Sequence, residues 1–241
     1  MPGGQSPPGQ LLGGVIAVRE DCQPVIGHSH VRKFRCQCGY AATRPDEPGV
    51  NHDRQAPYPP RVDDFPCSCL LCAPSPDGPV REERDSRIAA NVSEFGWHVM
   101  GITAGDDAPA DWAYSIGLWH TLRSPEVCVF GLRVQTMMSI LNVAGGEIRN
   151  GHPLEADQVR DDILNGCPVT VRPVHPSWYR DFFGAGIDYY QAPPLPVMQL
   201  FWPDKEGRFP WDEQADEYCR ASQPLLWIPK EETSGPWADL D

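Results

Sequence analysis

The sequence predicts an α+β fold: one domain with a mixed or mainly antiparallel sheet packed by helices, preceded by a poorly ordered leader. Three observations predict it. Strand-like and helix-like segments alternate irregularly, with short hairpin-like steps from 97 to 132, which disfavours a doubly wound parallel sheet. All eight tryptophans lie beyond residue 96, at 97, 112, 119, 178, 202, 211, 227 and 237. Large aromatics bury the most surface, so the packed domain begins shortly before Trp97. The first 66 residues hold no tryptophan and are rich in Pro, Gly and Arg, a composition that buries too little to order itself. The chain therefore divides into a leader (1–66), the α+β domain (67–229) and an acidic tail (230–241).

Each element has its own signal. Residues 41 to 66 carry six prolines and read as an extended linker, and "APSPDGP" (73–79) is a turn-rich hinge. "VREERDSRIAANVSEF" (80–95) predicts a helix, with acids in its first turn, Gly96 as its stop, and Ile88, Val92 and Phe95 on one stripe. "WHVMGIT" (97–103), "WAYSIGL" (112–118) and "EVCVFGL" (126–132) predict three strands. "VQTMMSILNVAGGEIRNG" (134–151) predicts a helix with Met137, Met138, Leu141 and Ile148 inward, weakened by Gly145-Gly146. "DQVRDDILNG" (157–166) predicts a shorter helix ended by Gly166. "PVTVRPV" (168–174) and "PVMQLFW" (196–202) predict strands, separated by a helical "PSWYRDFFGAGIDYY" (176–190). "PDKEG" turns the last strand into "RFPW", with Trp202 and Trp211 packed across the hairpin, and "QPLLWIP" (223–229) closes as a short strand or extended tail.

Charge and composition exclude some functions. A net charge of -13 and a pI near 4.9 disfavour general nucleic-acid binding, which needs a basic face for phosphates. Arg32, Lys33 and Arg35 are a weak local exception, and the acidity serves solubility. No apolar run approaches the eighteen or so residues of a membrane helix, and "LLGGVIAV" (11–18) lacks the flanks of a secretory signal. The expected location is cytoplasmic. In that reducing compartment nine cysteines are thiols or metal ligands, not a disulfide framework. Lysine occurs only at 33, 205 and 230, an arginine bias typical of GC-rich bacterial genomes.

The densest chemistry is "FPCSCLLCAP". Cys67, Cys69 and Cys72, spaced C-x-C-x2-C, are close enough to chelate one Zn2+ that a fourth Cys or His would close tetrahedrally. The expected fourth ligand is His98, Cys36 or Cys38, or else His28 or His30. "HSHVRKFRCQC" in the leader either supplements the triad or makes a separate His2Cys2 site with Cys36 and Cys38. An iron–sulfur cluster lacks a fourth local cysteine, and dithiol redox chemistry lacks a βαβ setting. The bland alternative is a set of reduced thiols in a mobile segment.

Within the core, Tyr114, His120, His175, Tyr179 and Arg180 could line a small-molecule pocket between the 112–120 and 175–181 segments, with Asp204 and Arg208 at a pocket mouth. Arg180 could clamp an anion. Ser115 has no G-x-S-x-G elbow and reads as a mid-strand structural hydroxyl. No P-loop, G-x-G-x-x-G or H-E-x-x-H occurs.

Taken together, "CSCLLC", "FGWHVMGI", "WAYSIGLWHTLRSPEVCVFGL", "ILNVAGGEIRNG" and "MQLFWPDKEGRFPWD" resemble the bacterial family catalogued as domain of unknown function 4262, from about Cys67 to about Pro229. The resemblance implies a small intracellular bacterial α+β domain, common in actinobacteria, whose activity stays open. It also implies that Cys67, Cys69 and Cys72 act together, because such members often open with a short cysteine cluster. The run into "PEVCVFGL" is similar, at fold level only, to flavin-binding split barrels.

Three functions fit these readings. The leading one is a ligand-binding or regulatory domain with a Zn2+ site at its N-terminal edge. The second is an enzyme with a flavin or small metabolite in the core pocket, and the third is an immunity- or antitoxin-like module with a protein partner.

Overall fold

The computed structural model describes residues 66–73, 83–105 and 108–240. The leader, with Cys22, His28, His30, Cys36 and Cys38, lies outside the described residues, as do most of the linker and hinge and the first residues of the expected 80–95 helix.

The chain forms one α+β domain around a six-stranded mixed sheet of order β1-β2-β3-β6-β5-β4. Helix α1 (Glu83–Phe95) opens with Glu83 and Asp85 in its first turn, where carboxylates complement the helix dipole. It buries Ile88, Ala89 and Val92, whereas Phe95, expected on the same stripe, stays 39% exposed. β1 (His98–Ile102) and β2 (Trp112–Ile116) pair antiparallel, His98 opposite Ile116. A short helix, α2 (Leu118–Leu122), then leads into β3 (Glu126–Phe130), which pairs antiparallel with β2. Neither α2 nor its role was legible in the sequence.

Helix α3 (Val134–Arg149) lies across β1, β2 and β3. Its apolar stripe, including Met137, Met138, Leu141 and Ile148, is buried as the spacing predicts. Gly145 is no weakness: a Cβ there would sit 2.7 Å from the Trp97 ring, so the small residue lets helix and indole touch.

β4 (Val159–Leu164) and β5 (Cys167–Pro173) form a hairpin, with Leu164 opposite Cys167 across Asn165-Gly166. The expected 157–166 helix is therefore a strand. Asn-Gly supplies a two-residue hairpin turn, and Gly166 takes φ 77 there. α4 (Tyr179–Phe182) and α5 (Gly184–Tyr190) follow a 3-10 turn at Pro176–Trp178. β6 (Val197–Phe201) then enters the sheet centre, parallel to β3 and antiparallel to β5. Both central strands are buried along their whole length, so each reads as an almost unbroken apolar run.

Beyond β6 the expected second hairpin strand does not form, and of the two readings of 223–229, short strand or extended tail, the strand does not form. Residues 202–216 are a looped turn, α6 (Glu217–Ala221) follows, and 223–229 make turns. Trp202 packs on Tyr218, and Trp211 packs on Phe201, Phe209 and Trp227, so the expected Trp202–Trp211 pair is replaced.

The sheet separates two cores. One is aliphatic, with Val99, Ala113, Val127, Val129 and Leu200 under α3. The other is aromatic, with Tyr114, Phe130, Trp178, Phe182 and Trp237 under α1, α4, α5 and the C-terminal turns. The cysteine segment sits on the aromatic side.

Candidate metal centre

Cys69, Leu70, Leu71 and Cys72 form a tight turn, in which the amides of Cys72 and Ala73 donate to the Cys69 carbonyl at 3.0 and 2.9 Å. The turn is fastened to the domain by Leu70 N, which donates to the Tyr189 carbonyl at 2.9 Å. Cys69 is fully buried, Cys67 half-buried and Cys72 exposed. Cys67, Leu70 and Leu71 pack on the aromatic core. This backbone bond and these apolar contacts join the eight described residues 66–73 to the domain.

The fourth member comes from α2. His120 Nδ1 lies 3.3 Å from Cys69 Sγ, 3.3 Å from Cys72 Sγ and 3.8 Å from Cys67 Sγ. One ligand atom from each of the four residues lies within 4.8 Å of every other. By this geometry the Cys3His group could hold a metal ion.

His98, the expected partner, is not in the group. It is buried at 3% exposure on β1, with Nδ1 2.8 Å from Asn91 Nδ2, and burial with the nearby Arg87 lowers its pKa to about 4. His120 instead leaves the expected small-molecule set to join the thiols. Nothing local marks His120 for this role, since 48 residues separate it from Cys72 and only the fold closes that distance.

Local backbone explains why His120 arrives there. Gly117 precedes α2 at φ 115, and a Cβ on it would meet Val92 of α1 at 2.7 Å. The turn therefore needs glycine both for its left-handed backbone and for the close approach of α1. Its amides are held by a carboxylate. Glu126, 2% exposed at the start of β3, accepts from Gly117 N at 2.9 Å, Trp119 N at 3.1 Å, Ser115 Oγ at 2.6 Å and the Tyr190 hydroxyl. The Tyr190 oxygen in turn accepts from Gly117 N at 3.0 Å and His120 N at 3.4 Å. Ser115 is structural, as expected: it also accepts from Val127 N at 2.9 Å.

Electrostatics divides the thiols. Burial pushes Cys67 up to about 12, and burial, with neighbouring Cys69, raises Cys72. Burial also acts upward on Cys69, but the Tyr189 hydroxyl and the amides of Cys72 and Leu71 together bring it below the usual thiol value. Amides converging on one cysteine sulfur favour its thiolate, the form that ligates metal. Burial and Arg123 lower His120, favouring the neutral ring that a metal requires. Burial raises Glu126, outweighing the hydrogen bonds from Ser115, Tyr190, Trp119 and Gly117.

The remaining expected ligand-binding residues are dispersed. The 112–120 and 175–181 segments are bridged by rings and by Phe182: Trp112 meets Phe182 edge-on at 5.6 Å and donates Nε1 to its carbonyl at 3.3 Å. Tyr114 and Tyr179 both pack on Phe183, at 5.2 and 5.8 Å. His175 caps the 3-10 turn through Ser177, and Arg180 is exposed. Asp204 accepts from the amides of Glu206, Arg208 and Asp216 at 2.8–3.0 Å and pairs with Arg208 Nε at 3.2 Å, organising its own loop. An open groove of about 600 Å³ lies elsewhere, lined by Pro210, Ala215, Glu217, Arg220, Ala221 and Leu225.

Sequence reasoning missed Glu126, Tyr189 and Tyr190. The available signal was Glu126 itself, an acid opening an otherwise apolar strand that the neighbouring strands bury. Among the described residues no helix is long and apolar enough to cross a membrane.

No curated protein and no solved structure matches the chain. A family model described as a domain of unknown function (DUF4262) matches residues 91–216, just over half of the 241 residues. The matched span is shorter than the 67–229 resemblance; it contains His120, Glu126, Tyr189 and Tyr190 and leaves the three cysteines outside. With its whole sheet, its α2 turn and His120 inside that matched half, the chain belongs to the family DUF4262.

Proposed function

We propose that Cys67, Cys69, Cys72 and His120 bind one Zn2+, and that this ion clasps the N-terminal segment onto an α+β ligand-binding or regulatory domain. The observation that carries the reading is the set of sulfur–nitrogen distances. Tetrahedral zinc, with Zn–S of about 2.3 Å and Zn–N of about 2.0 Å, holds sulfur and nitrogen about 3.5 Å apart. The three distances here are 3.3, 3.3 and 3.8 Å. Three soft thiolates with one imidazole suit zinc better than the hard oxygen-seeking cations.

Four protein ligands complete the shell and leave no position for substrate, which marks a structural ion. The physical need for one is local. The cysteine segment is short, with Leu70 N donating to the Tyr189 carbonyl, and a bound ion would help to offset the entropy of ordering it. Metal binding displaces the protons of Cys67 and Cys72, so the clasp should loosen as pH falls.

Metal analysis of protein purified without added metal tests the reading. About one zinc at this site per chain is the expected result. Below about 0.2 zinc per chain, with every thiol titrating freely, the clasp would be refuted.

A further inference from the structure

We propose that the Tyr189–Tyr190 pair at the end of α5, acting with Glu126, is the positioning shell that sets the spacing of the cysteine turn and His120. The inference rests on the zinc reading and names the residues that govern how tightly that site binds.

Two consecutive residues touch both halves of the ligand set. The Tyr189 carbonyl holds Leu70 N, inside the turn between Cys69 and Cys72. The Tyr189 side chain is 1% exposed in the aromatic core that Cys69, Leu70 and Leu71 also join. Tyr190 points to the other half, and its hydroxyl accepts from His120 N and Gly117 N while donating to Glu126. Glu126 then holds Trp119 N, the residue before the ligand. The two rings pack edge to face at 5.0 Å, and both residues are no more than 2% exposed, so neither hydroxyl can drift independently.

Groups of this kind orient ligands that they do not replace, and losing one weakens metal affinity by roughly 10- to 100-fold. Among the described residues Glu126 has no cationic partner, and its hydrogen bonds are all spent on the α2 turn, β2 and Tyr190. A buried carboxyl group so placed does little for a core that apolar residues could fill better. It makes sense as the anchor of the turn that presents His120.

The test uses the full chain, with Co2+ as the spectroscopic probe and competition against a coloured chelator for affinity. Tyr190→Phe keeps the ring and loses the hydroxyl that accepts from His120 N, and Glu126→Gln keeps the size of the side chain and loses the carboxylate to which Tyr190 donates. Each should weaken Co2+ and Zn2+ binding about tenfold or more and shift the visible Co2+ bands, which report ligand geometry. Trp237→Phe loses a buried bond to the Ala221 carbonyl in the same aromatic core. It should lower stability while leaving metal affinity within about threefold.

If Tyr190→Phe fails to fold, Glu126→Gln decides alone. Unaltered chain that binds Co2+, with both variants matching its affinity and spectrum, would overturn the positioning shell and leave the zinc clasp standing. Unaltered chain that takes up neither metal would overturn both.

Discussion

The two faces of the sheet are built on different principles. Under α3 the face is aliphatic: Val99, Val127, Val129 and Leu200 meet Met137 and Leu141 of one regular 16-residue helix. On the other side the cover is short helices and turns, the side chains are mostly rings, and polar tips must find partners inside. Trp178 reaches the Ile228 carbonyl at 2.7 Å, Trp237 the Ala221 carbonyl at 2.8 Å, and Tyr190 reaches Glu126. The aliphatic face needs only shape and periodicity. The aromatic face also needs its hydrogen bonds, and the Cys67, Cys69, Cys72 and His120 group lies on that side.

The largest expected effect is at Glu126. Glu126→Ala strips an acceptor from two buried amides and two hydroxyls, which should cost about 4 kcal/mol. Leu141→Ala, the matching lesion under α3, leaves a cavity worth about 3 kcal/mol. Denaturant unfolding of both variants measures the contrast. A Glu126→Ala change costing under about 1 kcal/mol would mean that the aromatic face does not depend on its polar anchors.

Acid should also act on the aromatic face. His98 titrates near 4 when folded, below the ordinary unfolded value of about 6.5. Between those values the unfolded chain holds the proton and the folded chain does not. Stability is therefore full above about 6.5 and falls by roughly 3 kcal/mol as pH drops towards 4. His98→Asn, which keeps a polar atom for Asn91, should flatten that window in a pH series of unfolding curves.

The aliphatic face is tested by overpacking. Gly145→Ala would drive a methyl to 2.7 Å from the Trp97 ring and should cost about 2 kcal/mol. Thermal unfolding reads it, and metal content should be unchanged. The smallest effect is expected at Asp204, where Asp204→Ala loses three amide contacts within the loop after β6 and should cost about 1–2 kcal/mol.

The same contrast explains what the sequence could tell. The apolar runs of β3 and β6 and the stripe of α3 are visible because burial on a regular element imposes a period. β4 was misread because Arg160 and Ile163, its buried residues, stand three apart as on a helix, while its other residues face outward. The turn chemistry of Asn165-Gly166 outweighed that period. In the metal centre, the cysteine triad was legible because its members are adjacent in sequence. His120 was visible as a histidine, but its role was not. His98 and His120 differ in nothing local that marks a ligand, and only the left-handed turn at Gly117 and the Glu126 anchor aim His120 at the thiols. Tyr189 and Tyr190 resembled any buried aromatic pair, since the groups they hold, Leu70 N through the Tyr189 carbonyl and Glu126 and the α2 amides through the Tyr190 hydroxyl, lie on other elements.

The most direct test of the clasp is the zinc content of the full chain against its Cys69→Ser variant, both purified without added metal. Comparing the two isolates this site from any ion held by the leader. The clasp predicts a difference of about one zinc per chain, with Cys69→Ser also freeing Cys67 and Cys72 to thiol reagents. Equal zinc content in the two proteins, with Cys67 and Cys72 equally reactive in both, would contradict it.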